Sequence, residues 1–169
     1  MTLDVKGGGL SCALDRLRDQ WPEQFESLNQ ELYRWVPEFD RILFEMTGKG
    51  QRFFSLRTRI GGYSVPAHYL LGGTLLALTL LTIAYLPDSP ALLGLEEPGR
   101  GIHPRLLRDV QDAIHRLSFP EISGEQRQPV QVIMTTHSPY MLELFRDQTE
   151  EVVVAQRVED NVKFKRLTD

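Results

Sequence analysis

Apolar residues recur along the chain with two rhythms, and the rhythm marks where helices give way to strands. In the first quarter the spacing is helical. Leu14 and Leu17 share a face behind Ser11, a residue type suited to an N-cap. Phe25, Leu28, Leu32 and Trp35 form the stripe of a second helix, which opens at Pro22 and ends before Pro37. Over residues 39–69 the spacing becomes that of strands. Ile42, Phe44 and Met46 alternate with Arg41, Leu43 and Glu45, and Phe54, Leu56 and Thr58 alternate with Phe53, Ser55, Arg57 and Arg59. Gly48-Lys49-Gly50 predicts the turn between the two runs, and Gly61-Gly62 closes the second. The pattern is that of a hairpin or meander with one wet face. Arg52, Arg57 and Arg59 on this stretch fit either a solvated strand face or a basic face that meets nucleic acid.

From Leu70 onward helices and short apolar runs alternate. The spacing predicts a helix over Thr74–Tyr85, then Ala91-Leu92-Leu93-Gly94-Leu95, a run with the length of a buried parallel strand. A helix follows from Pro104 to Leu117 with Leu106, Leu107, Val110 and Ile114 on one face. After a polar loop over Phe119–Pro129, Val130–Met134 is the second buried strand, and Tyr140–Phe145 a short helix. Two late strands, Glu151–Gln156 and Val162–Arg166, are joined by Glu159-Asp160-Asn161. The chain therefore divides into residues 1–69, a helical and β-meander segment, and residues 70–169, an α/β segment.

The stretch from Tyr69 to Leu86 is apolar enough to raise the question of a membrane. Its glycines and threonines, and Pro87-Asp88 directly after it, favour a core helix over a spanning one. No basic run followed by an apolar run opens the sequence, so no secretory signal is visible. Nineteen Lys and Arg against 23 Asp and Glu leave a formal charge of -4, which excludes a generally basic nucleic-acid-coating protein. The single cysteine, Cys12, excludes an internal disulfide framework and fits a cytoplasmic setting; its place on a helix predicts a packing role.

The candidate chemistry lies at two strand ends. Open α/β sheets bind ligands beyond the carboxyl ends of their strands. The first apolar run ends in Glu96-Glu97-Pro98-Gly99, the second in Thr135-Thr136-His137-Ser138-Pro139. A Glu-Glu pair alone is as well explained by a solvated turn. The order is more informative: a Leu-Gly-Gly helix, an apolar strand, two acids, a helix, a second apolar strand, then a histidine. That order resembles the second half of the ABC-type ATPase domain, and within it the SMC-like and RecF-like ATPases grouped with the OLD family. The resemblance implies a P-loop NTPase fold whose central, mostly parallel sheet is flanked by helices. It implies that Ala91–Glu97 is the Walker B strand, that Glu96 helps to hold Mg²⁺, and that Glu97 orients or deprotonates the attacking water. It implies further that Gly99–Pro104 is the D-loop and that His137 is the switch histidine, which meets the γ-phosphate of ATP. Leu70-Leu71-Gly72-Gly73-Thr74 falls where the family has its signature motif, so Gly72, Gly73 and Thr74 become the phosphate contact of that motif. Leu71 stands in place of the family's serine. Close helix packing at Gly72 and Gly73 is the competing reading.

One element of the family is missing. No Gly-x-x-x-x-Gly-Lys-Ser/Thr run occurs; Gly7-Gly8-Gly9 lacks the lysine, and Gly48-Lys49-Gly50 lacks the spacing. The resemblance thus covers the C-terminal half of a full ATPase domain. Without P-loop amides and lysine, two carboxylates face a polyanion with nothing to hold it. The expectation is feeble ATP binding by the chain alone, and a homo-oligomer or a P-loop-bearing partner chain that completes the sheet. DNA is the partner implied for the complete assembly, in repair or phage defence, and no membrane partner is expected. Two other readings stand beside this one: a non-catalytic interaction or dimerisation module derived from such an ATPase, and a metal-dependent hydrolase built on Glu96, Glu97 and His103. His103 is otherwise expected to cap the helix that Pro104 opens.

Overall fold

The computed structural model describes residues 9–46, 52–100 and 102–168. Two helices open the fold, α1 (Leu10–Gln20) and α2 (Pro22–Trp35). Leu10, Ala13, Leu14 and Leu17 bury one side of α1, and Phe25, Leu28, Asn29 and Leu32 bury one side of α2. The cap of α1 differs from expectation. The helix starts from Gly9 at φ 93, a left-handed conformation that glycine adopts freely, and Ser11 sits inside the first turn. Cys12 is on α1 as expected but is exposed, because it falls between the buried positions of the stripe.

The strand region forms a three-stranded antiparallel sheet, β1 (Phe39–Met46), β2 (Arg52–Thr58) and β3 (Ser64–Pro66). Ile42 pairs with Leu56 and the half-buried Phe44 with Phe54, so the core side chains of β1 and β2 stack across the ladder. The expected Gly48-Lys49-Gly50 turn lies outside the described residues. Asn29 joins helix to sheet: its Nδ2 donates to Phe25 O (3.0 Å), and its Oδ1 accepts from Ile42 N–H (2.9 Å). The three arginines do not form a free basic face. Arg52 pairs with Asp15, Arg57 makes a two-point bond to Asp40 (2.8 and 2.9 Å), and Arg59 lies 5.2 Å over the Tyr33 ring.

The apolar segment is helix α3 (Gly72–Tyr85). At 14 residues it is about 21 Å long, short of a bilayer's apolar thickness. Among the described residues no helix is long and apolar enough to cross a membrane. Its apolar girth has a different cause: it lies between two cores. Ala77, Leu78 and Leu81 join a cluster with α1, α2, β1 and β2, while Leu80, Ile83 and Ala84 join a second cluster with α4 (Pro104–Ser118). Its buried Thr82 returns its hydroxyl to Leu78 O at 2.6 Å, so no polar atom is stranded there. The first cluster runs across position 70, where the sequence rhythm changes.

Beyond α3 come β4 (Leu92–Glu96), α4, β5 (Gln131–Thr135), α5 (Pro139–Leu144) and a hairpin of β6 (Val153–Val158) and β7 (Asn161–Arg166). β4 and β5 pair in parallel, and β6 and β7 pair antiparallel. Two expectations are corrected here. The parallel portion has two strands among the described residues, not the many of a central sheet. Nor are those strands buried on both faces: Leu93, Leu95, Val132 and Met134 pack on the α3–α4 cluster, whereas Leu92 and Ile133 stay more than half exposed. Among the described residues no layer covers the second face.

Candidate active site

The site grows from the register of the parallel pair. Leu92 aligns with Gln131, and each later residue stays in step to Glu96 and Thr135. Both strands therefore end at one level, and the next residues, Glu97 and Thr136-His137, meet at a common rim. Glu97 N–H donates to Thr135 O at 2.9 Å, which extends the ladder by one step. There the chain bends. Glu97 has φ 46, a left-handed conformation that costs a non-glycine residue about 1–2 kcal/mol. Arg100 N–H closes the bend on Glu97 O at 2.9 Å, and Pro98 is buried beneath it. Strained backbone at a strand end is a mark of functional positions.

The bend brings the Glu97 carboxylate to the exit of β5. Its Oε1 lies 2.5 Å from Nδ1 of His137, across 40 positions of sequence. Its Oε2 accepts longer bonds, both 3.4 Å, from Thr136 Oγ1 and His137 N–H. The Thr136 hydroxyl in turn accepts from Ser138 N–H (3.1 Å), and Ser138 Oγ caps α5 by accepting from Met141 N–H (3.4 Å). A helix cap thus fixes the loop that carries His137. Partial desolvation works to raise the Glu97 pKa, but the bonds from His137, from its amide and from Thr136 outweigh it and hold the carboxyl below its ordinary value.

The two partners differ in access. The His137 side chain is 86% exposed and that of Glu97 24%. With Nδ1 committed to Glu97, Nε2 is the ring atom left for a group arriving from solvent. If Nδ1 carries the shared proton, Nε2 accepts from a neutral ring and donates only when the ring holds both protons.

Glu96 stands beside this pair on the open face of β4, exposed like Leu92 and Gly94 on that face. Among the described residues no group of three or more His, Cys, Asp or Glu side chains can hold a metal ion. A hard, strongly hydrated cation such as Mg²⁺ fits this donor set, since it takes one or two carboxylates and completes its shell with water and phosphate oxygens. His103 is not part of the cluster. It caps α4, its Nδ1 accepting from Arg105 N–H at 3.2 Å.

Gly72, Gly73 and Thr74 are placed elsewhere, on the first turn of α3, and among the described residues no hydrogen bond joins them to Glu97 or His137. Gly73 and Thr74 are buried. At Gly72 an added Cβ meets nothing within 4 Å, so packing does not demand glycine there. Leu71 before it is 77% exposed. Part of the stretch read as a D-loop, Gly101, lies outside the described residues. Thr136 is the residue that sequence reasoning missed; a hydroxyl directly before a strand-end histidine was the available signal.

The sequence matches the family described as "AAA domain, putative AbiEii toxin, Type IV TA system" over residues 13–143. No curated protein sequence matches it. A solved SMC ATPase structure, from work on ATP-driven dimerization and DNA-stimulated activation of SMC ATPases, superposes with a TM-score of 0.57 at 12% identity. The superposition covers 90% of this chain and 88% of that one. The likeness is one of fold.

Proposed function

The chain belongs to this AAA-domain family, and from that premise we propose that it is the Walker-B-to-switch portion of an ABC-type, SMC-like ATPase. One observation carries the reading: the 2.5 Å contact of Glu97 Oε1 with His137 Nδ1 at the aligned ends of two parallel strands. A carboxylate and an imidazole so placed suit a water activated for attack on phosphorus, with Glu97 as its base and His137 as the polar group facing the transferred phosphate. Glu96 would hold Mg²⁺, in part through water. The ion, when bound, neutralises charge on the phosphates. Gly72, Gly73 and Thr74, at a separate helix start, serve a nucleotide held by another subunit.

The phosphate grip comes from a P-loop-bearing companion, as part of this polypeptide's wider assembly or as another chain. The superposed structure's subject is DNA-stimulated SMC ATPases, and we extend the analogy to an assembly that acts on DNA, in repair or phage defence. The exposed Leu71 supports a second reading, an interaction module in which the signature contact has been lost.

The deciding experiment is ATP turnover by the complex purified with its P-loop-bearing companion. Glu97→Gln should lower turnover by roughly 10²–10⁴-fold and leave nucleotide binding intact. Unchanged turnover refutes the catalytic role. The chain alone should bind a fluorescent ATP analogue feebly, and micromolar affinity contradicts the need for a companion.

A further inference from the structure

The turn that leaves β4 runs along the exit of β5 and meets it at two points. The first is Glu97, whose carboxylate reaches Thr136 and His137. The second is Gly99. A methyl added there would lie 3.9 Å from Cβ of Ser138 and 3.5 Å from both Met141 Cε and Leu107 Cδ2. Gly99 therefore faces inward, onto α4 and the cap of α5, and Pro98 before it is buried. Arg100 is the next residue, and it is exposed.

The main chain of Arg100 is fixed and its side chain is not. Its N–H closes the turn on Glu97 O at 2.9 Å. A turn closed in this way keeps its first and last Cα atoms within about 7 Å, a gap that the long stem of an arginine spans. Among the described residues, however, no carboxylate pairs with Arg100, the two at its own rim included. Glu97 gives its oxygens to His137 and Thr136 instead. The guanidinium stands in solvent beside the pair.

Charge decides what such a group can do. Glu96 and Glu97 both lie at the end of β4, and His137 adds a positive charge only when both ring nitrogens hold protons. A phosphate that enters there meets negative charge first. A guanidinium stays charged at every working pH, and its planar fork of donors matches two phosphate oxygens at once. Within the turn 97–100, Arg100 is the cation.

We propose that Arg100 is a phosphate-binding residue: its guanidinium meets the terminal phosphate presented at the Glu97–His137 rim and offsets the two carboxylates there. That the phosphate belongs to ATP rests on the functional reading above; the capture of a phosphate by Arg100 does not. Charge spread over the phosphate oxygens during transfer strengthens the contact, so turnover depends on it more than binding does.

The probe is inorganic tripolyphosphate, titrated without metal onto the full chain and followed by NMR through the Arg100 Nε–H resonance, and in variants through the His137 N–H resonance. A saturable shift with a dissociation constant on the order of millimolar is expected. Arg100→Gln should weaken binding roughly tenfold and leave the urea midpoint unchanged. Arg105→Gln removes an equal charge from the first turn of α4 and should change binding by less than about twofold at physiological salt. An unmoved Arg100 resonance, or equal losses in the two variants, means diffuse charge attraction only and overturns the proposal. In the companion-bound complex, Arg100→Gln should lower kcat for ATP roughly 10²–10³-fold and change ATP affinity by less than about tenfold. Arg100→Lys keeps the charge without the fork and should recover part of the loss. Full turnover by Arg100→Gln beside lost turnover by Glu97→Gln overturns the proposal and leaves the reading of the rim standing. If Glu97→Gln turns over ATP normally, that reading falls, and the tripolyphosphate titration still decides for or against Arg100.

Discussion

The two ends of the chain are built to different degrees of completion. In the N-terminal region Leu10, Leu14, Leu17, Leu28 and Leu32 are at most 1% exposed, and helices and sheet close on one another. In the C-terminal region the parallel pair has one covered face, and every residue of β7 is exposed, Phe164 at 73% among them. The difference teaches where each region finds its stability. The first is finished by its own side chains; the second keeps apolar faces and strand edges for something else to cover. The candidate site sits on the unfinished region, at the rim of its parallel strands.

The sharpest way to break this contrast is to cut into both regions. Leu81→Ala removes a fully buried side chain from the first cluster and should cost about 2–5 kcal/mol in urea unfolding. Phe164→Ala in the chain alone should change stability by no more than about 0.5 kcal/mol. Equal losses would mean that the hairpin is part of a closed core. Asn29→Ala comes next. It strips the acceptor from Ile42 N–H and should cost about 1–3 kcal/mol, with faster amide exchange at Ile42 as its local signature.

The acid limb gives a smaller effect and its sign is fixed. The folded Glu97 carboxyl lies below its ordinary value of 4.5. Its bonds therefore stabilise the site above that value and are lost as pH falls through the depressed folded value. Stability of the wild type relative to Glu97→Gln should be flat from neutral pH down to the usual carboxylate range and decline only below it. A decline that starts near neutrality would contradict the assigned hydrogen bonds.

Local rhythm made most of the elements legible. Helical spacing located α1, α2 and α4, alternation located β1 and β2, and the two apolar runs located the parallel pair. The strand-end acids and histidine were legible as residues, and their meeting followed once the runs were placed side by side. What stayed hidden depends on neighbours far along the chain. Alternation cannot show that the second face of β4 and β5 is bare, because the layer that would cover it is not encoded in those residues. The left-handed turn at Glu97 is set by the Arg100 and Thr135 bonds around it, and no residue type announces it. The arginines of β2 read as a surface charge pattern until Asp15, Asp19 and Asp40 are brought beside them. The Gly9 cap is hidden because a serine two residues later offers a better side chain for the same task.

The central claim is that Glu97 and His137 act as one unit on nucleotide. A double-mutant cycle measures it directly: ATP turnover by the companion-bound complex with Glu97→Gln, His137→Ala and both. Residues that act as a unit give losses that do not add, so the double variant should be about as impaired as the worse single one. Losses that multiply would show two independent contributions and contradict the account.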